Sequence, residues 1–187
     1  MNSLLLLILG YLLGSVPFAY LVARAWRVDI FAVGTRNPGA ANVFRAVSRR
    51  AGVLVLLGDA AKSALPVVVA KWADVSPWVA LAAGVAAMVG HWYPLFLRFR
   101  GGAGLATAIG VGYGMMPLPA LAGTVPGLVV LYFLRSTGPA AGVGFLVFFL
   151  AAILLDQEVS VAVAVALLPP LALARERLLP TVGKGQP

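Results

Sequence analysis

Seven apolar runs follow one another along this chain, and the polar segments between them are short. The runs cover residues 3–23, 52–70, 77–97, 104–116, 118–134, 140–155 and 159–174. A helix needs about 20 apolar residues to cross the hydrocarbon core of a bilayer. Within that core every backbone N–H and C=O must be satisfied by the chain itself. With 187 residues, seven crossings leave almost nothing for an extramembrane domain. The expectation is therefore a single domain over residues 1–187, an all-α integral membrane protein forming a compact bundle of about seven transmembrane helices. The run at 104–116 would be about 20 Å long as a helix, which is short for a crossing. It either tilts or forms a re-entrant hairpin with the next run.

Composition excludes the main alternatives. Hydrophobic residues make up 61% and charged residues 11%, against about 45–50% and about 25% in soluble domains. So apolar a chain does not stay solvated and disordered. There is no Cys, which removes disulfides, thiolate nucleophiles and Cys-ligated metals. One His and six acidic residues leave little for a metal cage, and neither metal nor cofactor is expected. The net charge of +8 is assigned to loops that meet anionic headgroups, not to nucleic acid. Ala23-Arg24-Ala25 has the form of a leader cleavage site, but no basic residue precedes the first run. That run is therefore read as a retained helix. No internal repeat is visible, and the polar motifs form no path at the midplane, so a transporter is not expected.

Basic residues set the orientation. Placing the 24–50 segment inside the cell brings Arg98, Arg100, Arg135, Arg175, Arg177 and Lys184 to the same side, twelve of the fourteen Lys and Arg. The opposite turns hold Asp74, Asp156 and Glu158. The positive-inside rule then puts the N-terminus out and the C-terminus in.

Two polar constellations fall on the inner face. The first runs from Gly34-Thr35-Arg36-Asn37-Pro38-Gly39 to Asn42 and Arg45. Asn-Pro-Gly makes a turn, Asn37 or a neighbour could cap a helix starting near Pro38, and Arg supplies fixed charge. Together these suit a phosphate; a plain turn in a basic loop is the alternative. The second runs from Gly90-His91 through Arg98 and Arg100 to Gly101-Gly102-Ala103-Gly104 and Thr107. It combines close backbone approach, a helix start and two Arg, again an arrangement for an anion. Trp92, Tyr93 and Phe96 read as an interfacial aromatic belt. His91 lies about 10 Å below Arg98, and Asp59 about 12 Å in from Ala51, along helices of 1.5 Å rise. Asp59 and Lys62 share a helix face and can pair, which would position helices. His91 is either a packing residue or a general base. No Gly-x-Ser-x-Gly motif occurs, so a covalent acyl-enzyme is not expected. What remains is a site that holds two anions and lets them react by positioning and charge neutralisation.

At these residues the chain resembles the bacterial acyl-phosphate-dependent glycerol-3-phosphate acyltransferases, the PlsY family. The likeness begins at Gly14-Ser15-Val16-Pro17-Phe18 and continues through Asp29-Ile30, Asn37-Pro38-Gly39-Ala40-Ala41-Asn42 and Asp59-Ala60-Ala61-Lys62. It is strongest from Gly90-His91 to Thr107. Where the family has Gly-Gly-Lys-Gly, this chain has Ala103; the family's loop Ser is Thr35 here; and the family's C-terminal His and Asn positions fall on Leu171 and Ala174. The resemblance implies transfer of a fatty acyl group from acyl phosphate to the 1-hydroxyl of glycerol 3-phosphate. The product would be lysophosphatidate, made for phospholipid synthesis at the cytoplasmic face of a bacterial plasma membrane among membrane lipids. It implies catalytic roles for His91, Thr35 and Asn42, and substrate binding by Asn37, Gly39, Arg45, Arg100, Gly101, Gly102 and Thr107. A repurposed member that binds lipid phosphates or acyl phosphates without turnover is the other reading. A reporter fused after Pro187 is expected to be active only in the cytoplasm, and periplasmic activity would overturn the orientation.

Overall fold

The computed structural model describes residues 2–178, and among these it is all helical. Six helical stretches are long and apolar enough to cross a membrane, and a seventh apolar helix is short. The first stretch is broken. Helix α1 (Ser3–Ser15) ends at Val16, and α2 (Phe18–Ala25) resumes after Pro17. A residue before proline is driven out of the α region, and Val16 is extended, with ψ 120°. Its carbonyl is thereby released from the helix ladder.

A short helix α3 (Ala40–Ala46) follows the long 26–39 loop, and α4 (Arg49–Trp72) is the first unbroken crossing. Helix α5 (Pro77–Trp92) returns, with Ser76 capping its start. A 3₁₀ turn at Leu95–Leu97 leads to α6 (Leu105–Met115), α7 (Pro117–Leu134) and α8 (Thr137–Leu154). The last apolar run divides at Leu167 into α9 (Val159–Ala166) and α10 (Leu168–Leu178). Pro169 and Pro170 sit in the first turn of α10, where proline's missing N–H costs no hydrogen bond.

Between helices the packing relies on small residues, as membrane bundles do when backbones approach closely. A methyl at Gly14 would land on the Ala87 carbonyl, so α1 and α5 touch through their backbones. The outward faces carry Leu, Ile, Val and aromatic side chains such as Ile8, Leu57, Tyr132 and Phe133, the surface a lipid tail solvates. The largest buried cluster joins α4, α5, α6, α8 and α9 around Val67, Met88, Val111 and Phe148. A second, smaller cluster of Ala19, Ala23, Ile30, Val43, Ala51 and Val55 lies beneath the 26–39 loop. Ile30 and Val43 are fully buried in it, so the 26–39 segment is pinned to the bundle.

The short segment has a specific reason for its length. Ser63 Oγ donates to the Thr107 carbonyl (2.9 Å), and Lys71 Nζ donates to the Met115 carbonyl (3.1 Å). Helix α6 therefore runs beside only the second half of α4, from Ser63 to its C-terminal end. It begins at about the level of Asp59 and Lys62 because the chain before it, residues 101–104, is sunk into the bundle. The turn is made by Arg98 and Phe99, both left-handed with φ 50° and 64°. Thus α6 reaches the C-terminal end of α4 and does not turn back at half depth; the re-entrant part is the Gly-rich loop itself.

Candidate active site

The polar end of the bundle is organised around one buried ammonium group. Lys62 Nζ lies 2.8 Å from Asp59 Oδ1 one helical turn away, donates to the freed Val16 carbonyl at 2.8 Å, and stands 3.0 Å from His91 Nδ1. All three side chains are at most 6% exposed. An ammonium group has three N–H donors and no acceptor; Val16 and His91 take two of them, and Asp59 answers the charge as an ion pair. An ammonium facing Nδ1 requires that nitrogen's lone pair, which leaves the proton of neutral His91 on Nε2. Nε2 is therefore a hydrogen-bond donor in this geometry. Asp59 Oδ1 is 3.6 Å from Nδ1, close enough to add attraction but beyond hydrogen-bond length.

Both loops meet over His91. A methyl built on Gly102 would lie 2.6 Å from His91 Nε2 and 2.8 Å from the Pro38 carbonyl. A pocket between them is lined by His91, Lys62, Pro38, Gly101 and Gly102, with Pro17 and Phe18 of the broken first span. Gly102 N donates to the His91 carbonyl at 3.3 Å, and a methyl at Gly101 would strike the carbonyls of His91 and Trp92. Trp92 Nε1 donates to the Ala103 carbonyl at 2.7 Å. The Gly-rich loop is thus fastened to the end of α5 on both sides.

Several expected site residues have other duties. Asn42 is buried, its Oδ1 accepts from Thr35 N (2.9 Å), and its Nδ2 donates to the Val33 carbonyl (3.2 Å). Its amide shapes the loop, with Gly34 at φ 58° packed against it. Thr107 is fully buried, with Oγ1 donating to the Gly104 carbonyl at 2.7 Å; it stabilises the start of α6 and does not face the pocket. Arg100 lies over the Phe31 ring at 4.3 Å, a cation–π contact that ties the two loops together away from the glycines. Helix α3 starts at Ala40 with Gly39 at its cap, and no side chain caps it. Asn37 instead donates from Nδ2 to Glu176 Oε1 at 3.0 Å. Thr35 and Arg45 are exposed, and Arg45 has no hydrogen bond or ion pair with the described residues.

Two residues that sequence reasoning left out complete the site. Glu176 holds Asn37, and its neighbour Arg175 reaches the other loop, with Nη1 on the Gly102 carbonyl (2.9 Å) and Nη2 on the Trp92 carbonyl (3.2 Å). Their signal is a charged pair ending the last apolar run, the one place where an acid and a base adjoin on that helix. Of the family's C-terminal motif positions, Leu171 and Ala174 are exposed, while Leu179 and beyond lie outside the described residues. Among the described residues no three His, Asp or Glu side chains gather to hold a metal.

The fold and this end of it define a multi-pass, all-helical integral membrane protein whose buried charges gather under two Gly-containing loops. The family model described as glycerol-3-phosphate acyltransferase matches residues 4–177, and the chain belongs to that family. A glycerol-3-phosphate acyltransferase of Rubrobacter xylanophilus is 49% identical over 117 residues, 63% of this chain and 59% of that protein. One of Roseiflexus sp. is 40% identical over 168 residues, 90% of this chain and 79% of that protein. Several of the curated relatives are thus covered over less than two thirds of their length. The crystal structure of PlsY, an integral membrane glycerol 3-phosphate acyltransferase, in its glycerol 3-phosphate form superimposes with a TM-score of 0.80. The two are 33% identical, over 94% of this chain and 88% of that one. Its lysophosphatidic acid form gives 0.78 at 31% identity.

If Asn42 holds the 33–35 turn, Asn42→Ala is expected to loosen it by about 1–3 kcal/mol, the cost of stranding buried groups. Trypsin should then cleave after Arg36 about tenfold faster or more, and native cleavage kinetics would contradict that role.

Proposed function

We propose that this chain transfers a fatty acyl group from acyl phosphate to the 1-hydroxyl of glycerol 3-phosphate, giving lysophosphatidate, at the cytoplasmic face of a bacterial plasma membrane. The observation that carries the reading is the meeting of the 34–39 and 101–104 loops over His91, where Gly102 leaves room beside Nε2. Family membership and the two ligand forms named for the PlsY structures support the choice of substrates.

The hydroxyl oxygen bonds to the acyl carbonyl carbon, and the bond from that carbon to the phosphate oxygen breaks. Phosphate departs with the electron pair. The hydroxyl proton passes to the departing phosphate, itself a sufficient acceptor. His91 donates from Nε2 to the oxygen on which negative charge grows, held in place by Lys62; a fixed donor of this kind lowers the barrier because it needs no reorientation. Backbone N–H groups of the Gly-rich loop and the Arg45 guanidinium neutralise substrate phosphate. Thr35 stands at the same loop with its hydroxyl available to a ligand oxygen.

Purified protein given acyl phosphate and glycerol 3-phosphate should release phosphate and lysophosphatidate in equal amounts. Absence of product from folded protein that still binds acyl phosphate would replace the enzyme by a binding protein. Arg45→Ala should lower kcat/KM by about tenfold or more, the scale of a lost charge-assisted hydrogen bond, and native kinetics would remove Arg45 from the site.

A further inference from the structure

We infer that Arg175, reaching in from the C-terminal helix, is the cation that receives a substrate phosphate at the Gly-rich loop. The inference rests on the acyltransfer reading above. Ala103 brings no charge to that loop. The other cations nearby are committed or distant from it. Lys62 is used by Asp59, Val16 and His91. Arg100 stands over the Phe31 ring at 4.3 Å, and Arg98 is exposed.

Arg175 is different in two respects. It is anchored at the loop: Nη1 donates to the Gly102 carbonyl and Nη2 to the Trp92 carbonyl, and Cζ stands 5.4 Å over the Tyr93 ring. It also retains an unused donor, because Nε is buried and has no hydrogen-bond partner. A buried guanidinium N–H without an acceptor is costly, and among the described residues the charge itself meets no carboxylate: Glu176, next to it, is turned to Asn37. Two carbonyl dipoles position the group without neutralising it. A phosphate monoester seated against Gly102 would supply both the missing acceptor and the missing negative charge. The same anchoring lets α10 sense occupancy of both loops, since Arg175 holds one and Glu176 the other.

Which phosphate is held, that of the acyl donor or that of glycerol 3-phosphate, is read from the two KM values. The full-length protein in detergent is compared with Arg175→Gln, Arg175→Lys and Arg175→Gln/Ala103→Lys, using initial rates with each substrate varied in turn. Arg175→Gln should raise KM for one phosphate substrate by about tenfold or more, with a smaller change in kcat and in KM for the other. Adding Ala103→Lys, which returns a cation to the same loop from the opposite side, should recover most of that loss. Arg175→Lys keeps the charge but neither the fork nor Nε, and should retain part of the substrate affinity that Arg175→Gln loses; it carries the test if the Gln variant does not fold. A role limited to tying α10 to the loop predicts equal damage from Lys and Gln and no rescue from position 103, and either result overturns the inference. Inactivity of the native protein would instead overturn the acyltransfer reading on which it stands.

Discussion

One buried ammonium group sets the geometry of the whole polar end. Lys62 is tolerated inside an apolar bundle because it has three partners, one counter-charge and two hydrogen-bond acceptors, each from a different source. These are a carboxylate one turn away on its own helix, a carbonyl released by Pro17 in the first span, and the imidazole of α5. Removing any one partner would leave a charge or donor stranded at a depth where water does not repair the loss. The break in the first span is therefore part of the same device as the charge. It supplies the carbonyl, and in doing so it fixes where α1, α4 and α5 stand relative to one another.

From that point the loops follow. His91, turned by Lys62, projects Nε2 between Pro38 and Gly102, and only a residue without a side chain leaves space there. The Gly-rich loop is sunk to the level of the charge cluster, which shortens α6 to 11 residues and lets Trp92 and Arg175 fasten the loop from two directions. The first loop is held from below by Ile30 and Val43 and from within by Asn42. Substrate positioning by backbone requires such fixed backbone, and that is where most of the polar side chains at this end are used.

Much of this was legible in the sequence. The apolar runs gave the bundle, and the clustering of Arg, Gly and Asn at one side gave the position of the loops. The pairing of Asp59 with Lys62 followed from their spacing. What spacing does not report is how the polar side chains are shared out. Asn42 and Thr107 bond to the backbone of their own loop and helix start, as short polar side chains beside turns do, and Arg100 stands over the Phe31 ring. Arg175 and Glu176 lie more than 70 positions from the residues they hold, and no periodicity reports such contacts. The dual use of Pro17, as helix breaker and as the means of freeing an acceptor, likewise becomes visible only when α4 is placed beside it.

His91 is the only histidine in the chain, so its two ring nitrogens can be observed alone. Nitrogen-15 NMR of histidine-labelled protein in lipid nanodiscs at neutral pH reports directly whether Lys62 dictates which of them carries the proton. The structure requires a neutral ring with the proton on Nε2, and an Nδ1 that is unprotonated and hydrogen-bonded. A proton on Nδ1, or an imidazolium, would contradict the central role assigned to the buried ammonium group and return His91 to the part of a base or a packing residue.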